Sequence, residues 1–223
     1  MTIIYKNESC KVEKVKNQKY KITIFTEEKY PKFWKTVKTN LEKYSNKKDF
    51  LFEAKEVLLL NTLLKRSDHS LSYFFCKSIF LNIGKQFEYL EKDGYASVFL
   101  DTNDILVIIS KDEKDTRFIY LNTTKFLPLD HDKIKINLPF KKNNLYISPE
   151  LKKIKKFPTT IYKQSTYYSL GLLVSNCLTP IKESKRNMEE FKKHLESILN
   201  TKIYWALLRC LEYEPEDRYY LYI

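Results

Sequence analysis

The stretch that most constrains the fold is the apolar run at residues 167–178. Its apolar residues fall on nearly every side of a helix, and a helix without a polar face must be buried. Gly171 lies inside the run, where a glycine costs about 1 kcal/mol unless a neighbour packs very close. A chain of 223 residues is long enough to surround such a helix. The sequence therefore predicts a central buried helix with a close contact at Gly171.

Two proline-containing motifs flank this run. Before it, Pro149 and Pro158 bracket a short helix or turn, because proline suits the first helical turn and breaks what precedes it. After it, residues 203–211 form an amphipathic-to-buried helical pattern that is followed by Glu-Pro-Glu-Asp-Arg218. Taken alone, Arg218 and the glutamate of Ser-Pro-Glu150 are ordinary surface residues, 68 positions apart.

Three motifs in this order resemble the C-lobe of the eukaryotic protein kinase superfamily: Ser148-Pro-Glu150, Tyr168-Ser-Leu-Gly171 and Glu214-Pro-x-x-Arg218. The resemblance implies that Arg218 pairs with Glu150, and it gives Pro149 and Gly171 structural roles. It also implies an α+β, protein-kinase-like fold. We expect a reduced strand-containing N-terminal lobe at residues 1–69 and a mainly helical C-lobe at residues 70–223.

Periodicity predicts the secondary structure of the first part of the chain. Short strands are predicted at residues 2–5, 11–16 and 19–25, and polar and apolar residues alternate in the last of these segments. Wider apolar stripes predict a helix that starts at Pro31, a second at residues 50–65 and a third at residues 71–92. Further on, a hairpin is predicted from strands at residues 104–109 and 117–121, and residues 133–137 are expected to be extended.

Residues 89–106 are similar to the kinase catalytic-loop region, but the functional positions differ. Where the family has His-Arg-Asp, this chain has Ser-Val-Phe99, so the catalytic-base position is a phenylalanine. Asp104 stands at the metal-binding asparagine position, and aspartate can ligate Mg²⁺. Asn122 stands near the position of the second metal ligand, an aspartate in the family. The alternative is that Asp104 is simply an aspartate in a polar turn.

The N-terminal part lacks the phosphate-binding loop of a kinase. No glycine occurs before Gly84, although a backbone that covers ATP phosphates needs glycine for close approach. Lys21 is the nearest candidate for the phosphate-pairing lysine, and a solvated strand lysine is its alternative. The resemblance therefore implies ATP and Mg²⁺ as cofactors only if the chain is an active kinase.

Three functions remain open at this point. The first is a pseudokinase that binds a protein partner, such as a kinase or a kinase substrate. The second is a divergent, active Ser/Thr kinase that uses Asp104 and another acidic residue such as Asp101. The third is a basic nucleic-acid-binding protein, because the net charge is +12. A general drift toward lysine gives the same charge without any ligand.

Composition restricts the location of the protein. No apolar run reaches the roughly 18 residues that a bilayer span needs, so no membrane association is expected. The four cysteines are widely spread, which favours buried free thiols in a reducing compartment. We therefore expect an intracellular, cytoplasmic protein. The short, lysine- and tyrosine-rich chain also resembles the degenerate kinase-like proteins of large DNA viruses, which implies the host cytosol.

Overall fold

The computed structural model describes residues 1–41, 49–112, 115–140, 145–181 and 187–223. Within these ranges the chain forms seven α-helices and eleven strands, and the strands pair into three antiparallel sheets. The α+β class predicted from the sequence is therefore confirmed. No helix in the described part of the chain is long and apolar enough to cross a membrane.

The first sheet is an antiparallel meander that contains the three predicted N-terminal strands and one more. In spatial order its strands are β1 (Thr2–Lys6), β2 (Cys10–Lys16), β3 (Lys19–Ile24) and β4 (Asp49–Glu53). Cross-strand partners form one buried row across the sheet: Tyr5, Val12, Ile22 and Phe50. A second row lies on the opposite face: Ile3, Glu13, Lys21 and Leu51.

The predicted helix at residues 50–65 is wrong. This stretch forms β4, then β5 (Glu56–Leu59), and only then a short helix, α2 (Leu60–Arg66). The two phenylalanines of β4 are buried while Leu51 between them is 47% exposed, which is the period of a strand. Pairing with β3 supplies the backbone hydrogen bonds of β4 and outweighs the helical propensity of its neighbours.

Two helices pack against each other in the core. The helix α1 (Pro31–Asn40) begins at the predicted proline and packs on the long helix α3 (Tyr73–Lys92). The Asp93 carboxylate accepts hydrogen bonds from the backbone N–H groups of Lys32 and Phe33, at 3.2 and 2.8 Å. These bonds satisfy free N–H groups at the start of α1, where a negative charge is favourable.

The strands of the other two sheets follow α3 in the chain, except β5, which precedes α2. The second sheet joins β5 to the predicted hairpin, which is formed by β7 (Ile105–Ile109) and β8 (Arg117–Tyr120). The third sheet has the strand order β11-β10-β9-β6. Its strands are β6 (Tyr95–Ser97), β9 (Phe126–Asp130), β10 (Lys133–Ile136) and β11 (Thr159–Tyr162).

The predicted central helix is α5 (Ser165–Leu178), and it is buried on nearly all sides. It packs against α3 and against α7 (Lys202–Cys210). A Cβ placed on Gly171 would lie 2.8 Å from the Cβ of Cys210, so the predicted close contact is the crossing of α5 and α7. Two shorter helices complete this part: α4 (Pro149–Lys153) and α6 (Met188–His194).

One large buried cluster includes side chains from both predicted parts, residues 1–69 and 70–223. The strand β5 of the first part pairs with β7 of the second, so the two parts share a sheet as well as a core. All four cysteines are buried free thiols. A second cluster connects α4 with the third sheet: Ala96, Val98, Ile134, Ile136, Ile147, Leu151, Ile154 and Ile161.

Candidate functional site

A polar centre lies where the open end of the β7–β8 hairpin meets β1. It is built around Asp104, whose side chain is 11% exposed. One carboxylate oxygen, Oδ1, accepts hydrogen bonds from the Tyr5 hydroxyl and from the Asn122 side-chain amide, each at 3.1 Å. The other, Oδ2, accepts from Lys125 Nζ at 2.6 Å. Both oxygens of the carboxylate are therefore engaged by donors from this chain.

The hairpin explains why Asp104 and Asn122 meet. They flank the hairpin at its open end, where Ile105 of β7 is the cross-strand partner of Tyr120 of β8. The Leu121 backbone N–H extends this pairing by donating to the Asp104 backbone oxygen at 2.9 Å. The structure thus brings together both residues that the sequence indicated as metal-ligand candidates.

Sequence reasoning missed the other two members of the centre, Tyr5 and Lys125. Tyr5 lies 99 positions before Asp104, and its one sequence signal was a place in a predicted strand. Burial and the nearby Asp104 carboxylate raise the pKa of the Tyr5 hydroxyl, so this hydroxyl stays protonated and donates. Its oxygen accepts a hydrogen bond from Asn7 Nδ2 at 2.8 Å. Nothing in the sequence distinguishes Lys125 from the many other lysines.

Further hydrogen bonds hold the first sheet against the end of β8. The Thr123 backbone N–H donates to Ser9 Oγ at 2.9 Å, and the two side-chain hydroxyls lie 2.8 Å apart. The hydroxyls of Thr26 and Thr123 are also within hydrogen-bond distance, at 3.2 Å. Trp34 Nε1 donates to the Thr26 hydroxyl at 3.2 Å. These bonds tie the first sheet and α1 to the segment that follows β8. We call the neighbouring Asp104 centre closed because side chains of this chain engage both of its carboxylate oxygens.

The centre does not fit a divalent cation. Mg²⁺ needs several oxygen ligands, whereas the Lys125 ammonium already neutralises the Asp104 carboxylate and would repel a metal ion. Asn122 directs its nitrogen toward Asp104, while its side-chain oxygen accepts from the Thr124 backbone N–H at 3.1 Å. Across the described ranges there is no group of three or more His, Cys, Asp or Glu that could hold a metal.

Lys21, the candidate phosphate-pairing lysine, is not brought to this centre. Side chains alternate along β3, and Ile22 belongs to the buried row that contains Tyr5. Lys21 pairs across the strands with Glu13 and Leu51 and so lies on the opposite face of the sheet. The sheet itself separates Lys21 from the polar centre.

Phe99, which the resemblance sets at the catalytic-base position, lies in an aromatic group. Its ring centroid is 4.8 Å from that of Phe140, which is 6.2 Å from Phe157. All three rings pack against the second buried cluster. The acidic alternative, Asp101, accepts from the Asn103 backbone N–H at 2.9 Å and caps the turn that precedes β7. A phenyl ring cannot accept a proton, so no general base stands at residue 99.

Arg218 and Glu150 form the ion pair that the resemblance implies. Arg218 Nη1 and Nη2 donate to the two Glu150 carboxylate oxygens at 2.7 and 3.1 Å. The Arg218 side chain is fully buried, and its guanidinium lies 4.8 Å from the Tyr168 ring centroid. Burial raises the pKa of Glu150, but the hydrogen bonds and charge of Arg218 outweigh it and lower that pKa. Pro149 begins α4 beside this pair.

Comparison of the chain with the profiles of known protein families and with curated protein sequences finds no match in either set.

Proposed function

We propose that this protein is a protein kinase-like module that transfers no phosphate and acts by binding a protein partner, such as a kinase or a kinase substrate. The kinase-like part of the proposal is supported by the three ordered sequence motifs and by the buried Glu150–Arg218 pair. The succession of elements agrees with it: three strands, α1, the long α3, the β7–β8 hairpin and the buried α5.

The observation that carries the non-catalytic part is the closed Asp104 centre. Phosphate transfer from ATP depends on metal ions that bridge the phosphates and neutralise the developing charge. At this centre the Lys125 ammonium takes the place beside the carboxylate, 2.6 Å from Oδ2. The Tyr5 hydroxyl, which comes from β1, covers the other carboxylate oxygen. Both carboxylate oxygens that a phosphate-bridging metal ion would use as ligands are therefore already engaged by side chains of the protein itself.

Phe99 supports the same conclusion independently. General-base catalysis contributes about 10²–10⁴ in rate, and it requires a group that accepts a proton. Phe99 supplies none, and the contact between its ring and Phe140 joins it to the second buried cluster. A kinase-like core that lacks both the metal site and the base retains its surfaces, and these are available for binding another protein.

Thermal unfolding with and without saturating ATP, with Mg²⁺ present or chelated, tests this proposal. A ligand at about 100 times its dissociation constant adds about 2.7 kcal/mol of stability. In a domain of this size this raises the unfolding midpoint by roughly 5–10 °C. We expect no rise for the wild-type protein, because the Asp104 centre is closed.

Two variants sharpen the test. Lys125→Met removes the internal cation, and Lys65→Met removes an exposed lysine on α2 as a control. If Lys125 is what excludes a divalent cation, the first variant alone should gain a midpoint shift with Mn²⁺ or Mg²⁺. A Mg²⁺-dependent shift of the wild-type protein, together with phosphate transfer that Asp104→Ala abolishes, would instead support the divergent active kinase.

A further inference from the structure

The positive charge of this chain is concentrated in one part of the sequence. Residues 133–140 and 145–163 contain seven lysines, no arginine and a single carboxylate, that of Glu150. Their surplus of six positive charges is half of the net charge of +12. Glu150 forms its ion pair with the buried Arg218, which lies outside these ranges.

Four of these lysines are exposed on or beside the third sheet. Along β10 the isoleucines are buried, whereas Lys133 and Lys135 are exposed on the outer face. Lys155 and Lys156 are exposed in the connection between α4 and β11. We call these four lysines and the strand β11 the β10–β11 surface. Lys133 Nζ lies 5.2 Å from the Tyr162 ring centroid, and in the described part of the chain none of the four has a carboxylate within 4.0 Å.

The β10–β11 surface ends in an open strand edge. β11 is the outermost strand of the third sheet and pairs with β10 on one side. Within the described ranges no strand pairs with its other side. Its sequence, Thr-Thr-Ile-Tyr162, is rich in residues that favour strands, and Thr160 is exposed. An open edge of this kind is a template on which another extended chain can form backbone hydrogen bonds.

We propose that the β10–β11 surface binds an acidic, extended segment of the partner protein, which adds as a strand to the open edge of β11. This inference rests on the proposed partner-binding function and names its surface and the chemistry of its ligand. Since side chains alternate along a strand, every second residue of the added segment lies on the face that carries Lys133 and Lys135. Carboxylates at those positions form ion pairs with the lysines, and the backbone of the added segment forms hydrogen bonds with the open edge of β11.

Three observations favour an acidic polypeptide over a nucleic acid. Arginine, which recognises phosphate in a bidentate way, is absent from residues 133–163. The nearby rings of Phe99, Phe140 and Phe157 pack on one another and on the second buried cluster, so they offer no stacking platform for bases. A nucleic acid also has no backbone amides that could pair with the edge of β11.

The test uses the full chain and a fluorescent peptide that alternates glutamate and threonine over about ten residues. Binding is measured by fluorescence anisotropy for the wild type, for Lys133→Glu/Lys135→Glu, and for a control, Lys6→Glu/Lys16→Glu. The control lysines are also exposed strand residues, so both double variants change the charge equally. We expect the first variant to weaken binding by about tenfold or more, and the control to change it by less than about twofold.

Strand addition has its own readouts. The peptide should slow amide hydrogen exchange in β11, and methylation of its alternate backbone nitrogens should abolish binding. Circular dichroism checks that each variant is folded. If Lys133→Glu/Lys135→Glu fails to fold, Lys155→Glu/Lys156→Glu takes its place with the same expectation.

Several results would overturn the inference. An equal loss of peptide affinity in both double variants would mean that the peptide is attracted by net charge alone. Undiminished binding of the methylated peptide would exclude strand addition. Tighter binding of single-stranded DNA, with the same dependence on Lys133 and Lys135, would make the surface a nucleic-acid site. None of these outcomes affects the thermal-unfolding test with ATP. Phosphate transfer by the protein would refute the non-catalytic function, whether or not the peptide binds.

Discussion

The most informative single change is Arg218→Met, because Arg218 connects three parts of the chain. Its guanidinium donates to both oxygens of Glu150 in α4 and to the backbone oxygen of Glu212, and it lies over the Tyr168 ring of α5. Its side chain is fully buried, and that of Glu150 is 19% exposed. Methionine has a similar length and no charge, so the variant leaves the Glu150 carboxylate without its cation.

The size of the effect follows from burial. Removing one partner of a buried ion pair costs about 3–5 kcal/mol, because the remaining charge is left without compensation. For a chain of this length, each kcal/mol lowers the unfolding midpoint by about 2–4 °C. We therefore expect Arg218→Met to lower the midpoint by roughly 10 °C. Urea unfolding followed by the fluorescence of the buried Trp34 measures the loss of free energy.

A matched control exists on the surface. Arg66 Nη1 lies 2.6 Å from Glu56 Oε1, about as close as the buried pair, but the two side chains are 56% and 41% exposed. Arg66→Met should cost less than about 1 kcal/mol, because exposed ion pairs contribute little. If Arg218→Met costs no more than this control, the stabilising role of the buried pair is wrong. Combining Arg218→Met with Glu150→Gln should cost less than the two single losses added together, since the stranded charge is then removed.

Three further results are expected. The pKa of Glu150 is lowered in the folded protein, so the unfolded chain takes up this proton first as the pH falls. Urea titrations should therefore show that the free energy of unfolding decreases below pH 4.5, the ordinary pKa of this carboxyl group, and Glu150→Gln should make this decrease smaller. Gly171→Ala brings a Cβ to 2.8 Å from the Cβ of Cys210 and should lower the free energy of unfolding by about 1–3 kcal/mol in the same assay. An unchanged urea midpoint would contradict this close crossing of α5 and α7. At Gly84 a Cβ would lie 2.2 Å from the Tyr220 ring. Gly84→Ala should therefore displace this ring and speed amide hydrogen exchange of the C-terminal residues as much as Tyr220→Ala does. Unaltered exchange would count against this packing.

Much of the secondary structure could be predicted because it depends on local periodicity. The strands β1, β2 and β3, the striped helices α1 and α3 and the all-round apolar α5 are present at or near the predicted positions. The stretch from residue 50 to 65 could not be assigned this way. Its apolar residues suit both a helix and a strand, and the choice was made by pairing with β3, which is distant in sequence.

The candidate site was predictable only in part. Asp104 and Asn122 meet because a hairpin brings its two ends together, and a hairpin is visible in sequence. The sequence did not determine that Lys21 lies on the face of the sheet opposite Tyr5, since the face of a strand that turns inward is decided by what packs on the sheet. Lys125 carried no signal, and Tyr5 carried only its place in a predicted strand, because neither residue belongs to a motif.

The sequence by itself determined that α5 is buried and that something packs closely on Gly171, because both follow from the side chains of one short segment. Only the tertiary structure decided the state of Asp104. The chemistry of a carboxylate depends on the donors around it, and these come from β1, from the end of β8 and from the turn that follows. No local sequence pattern predicts that these donors come together around Asp104. The first sheet brings the Tyr5 hydroxyl to the carboxylate, and the turn that follows β8 brings the Lys125 ammonium.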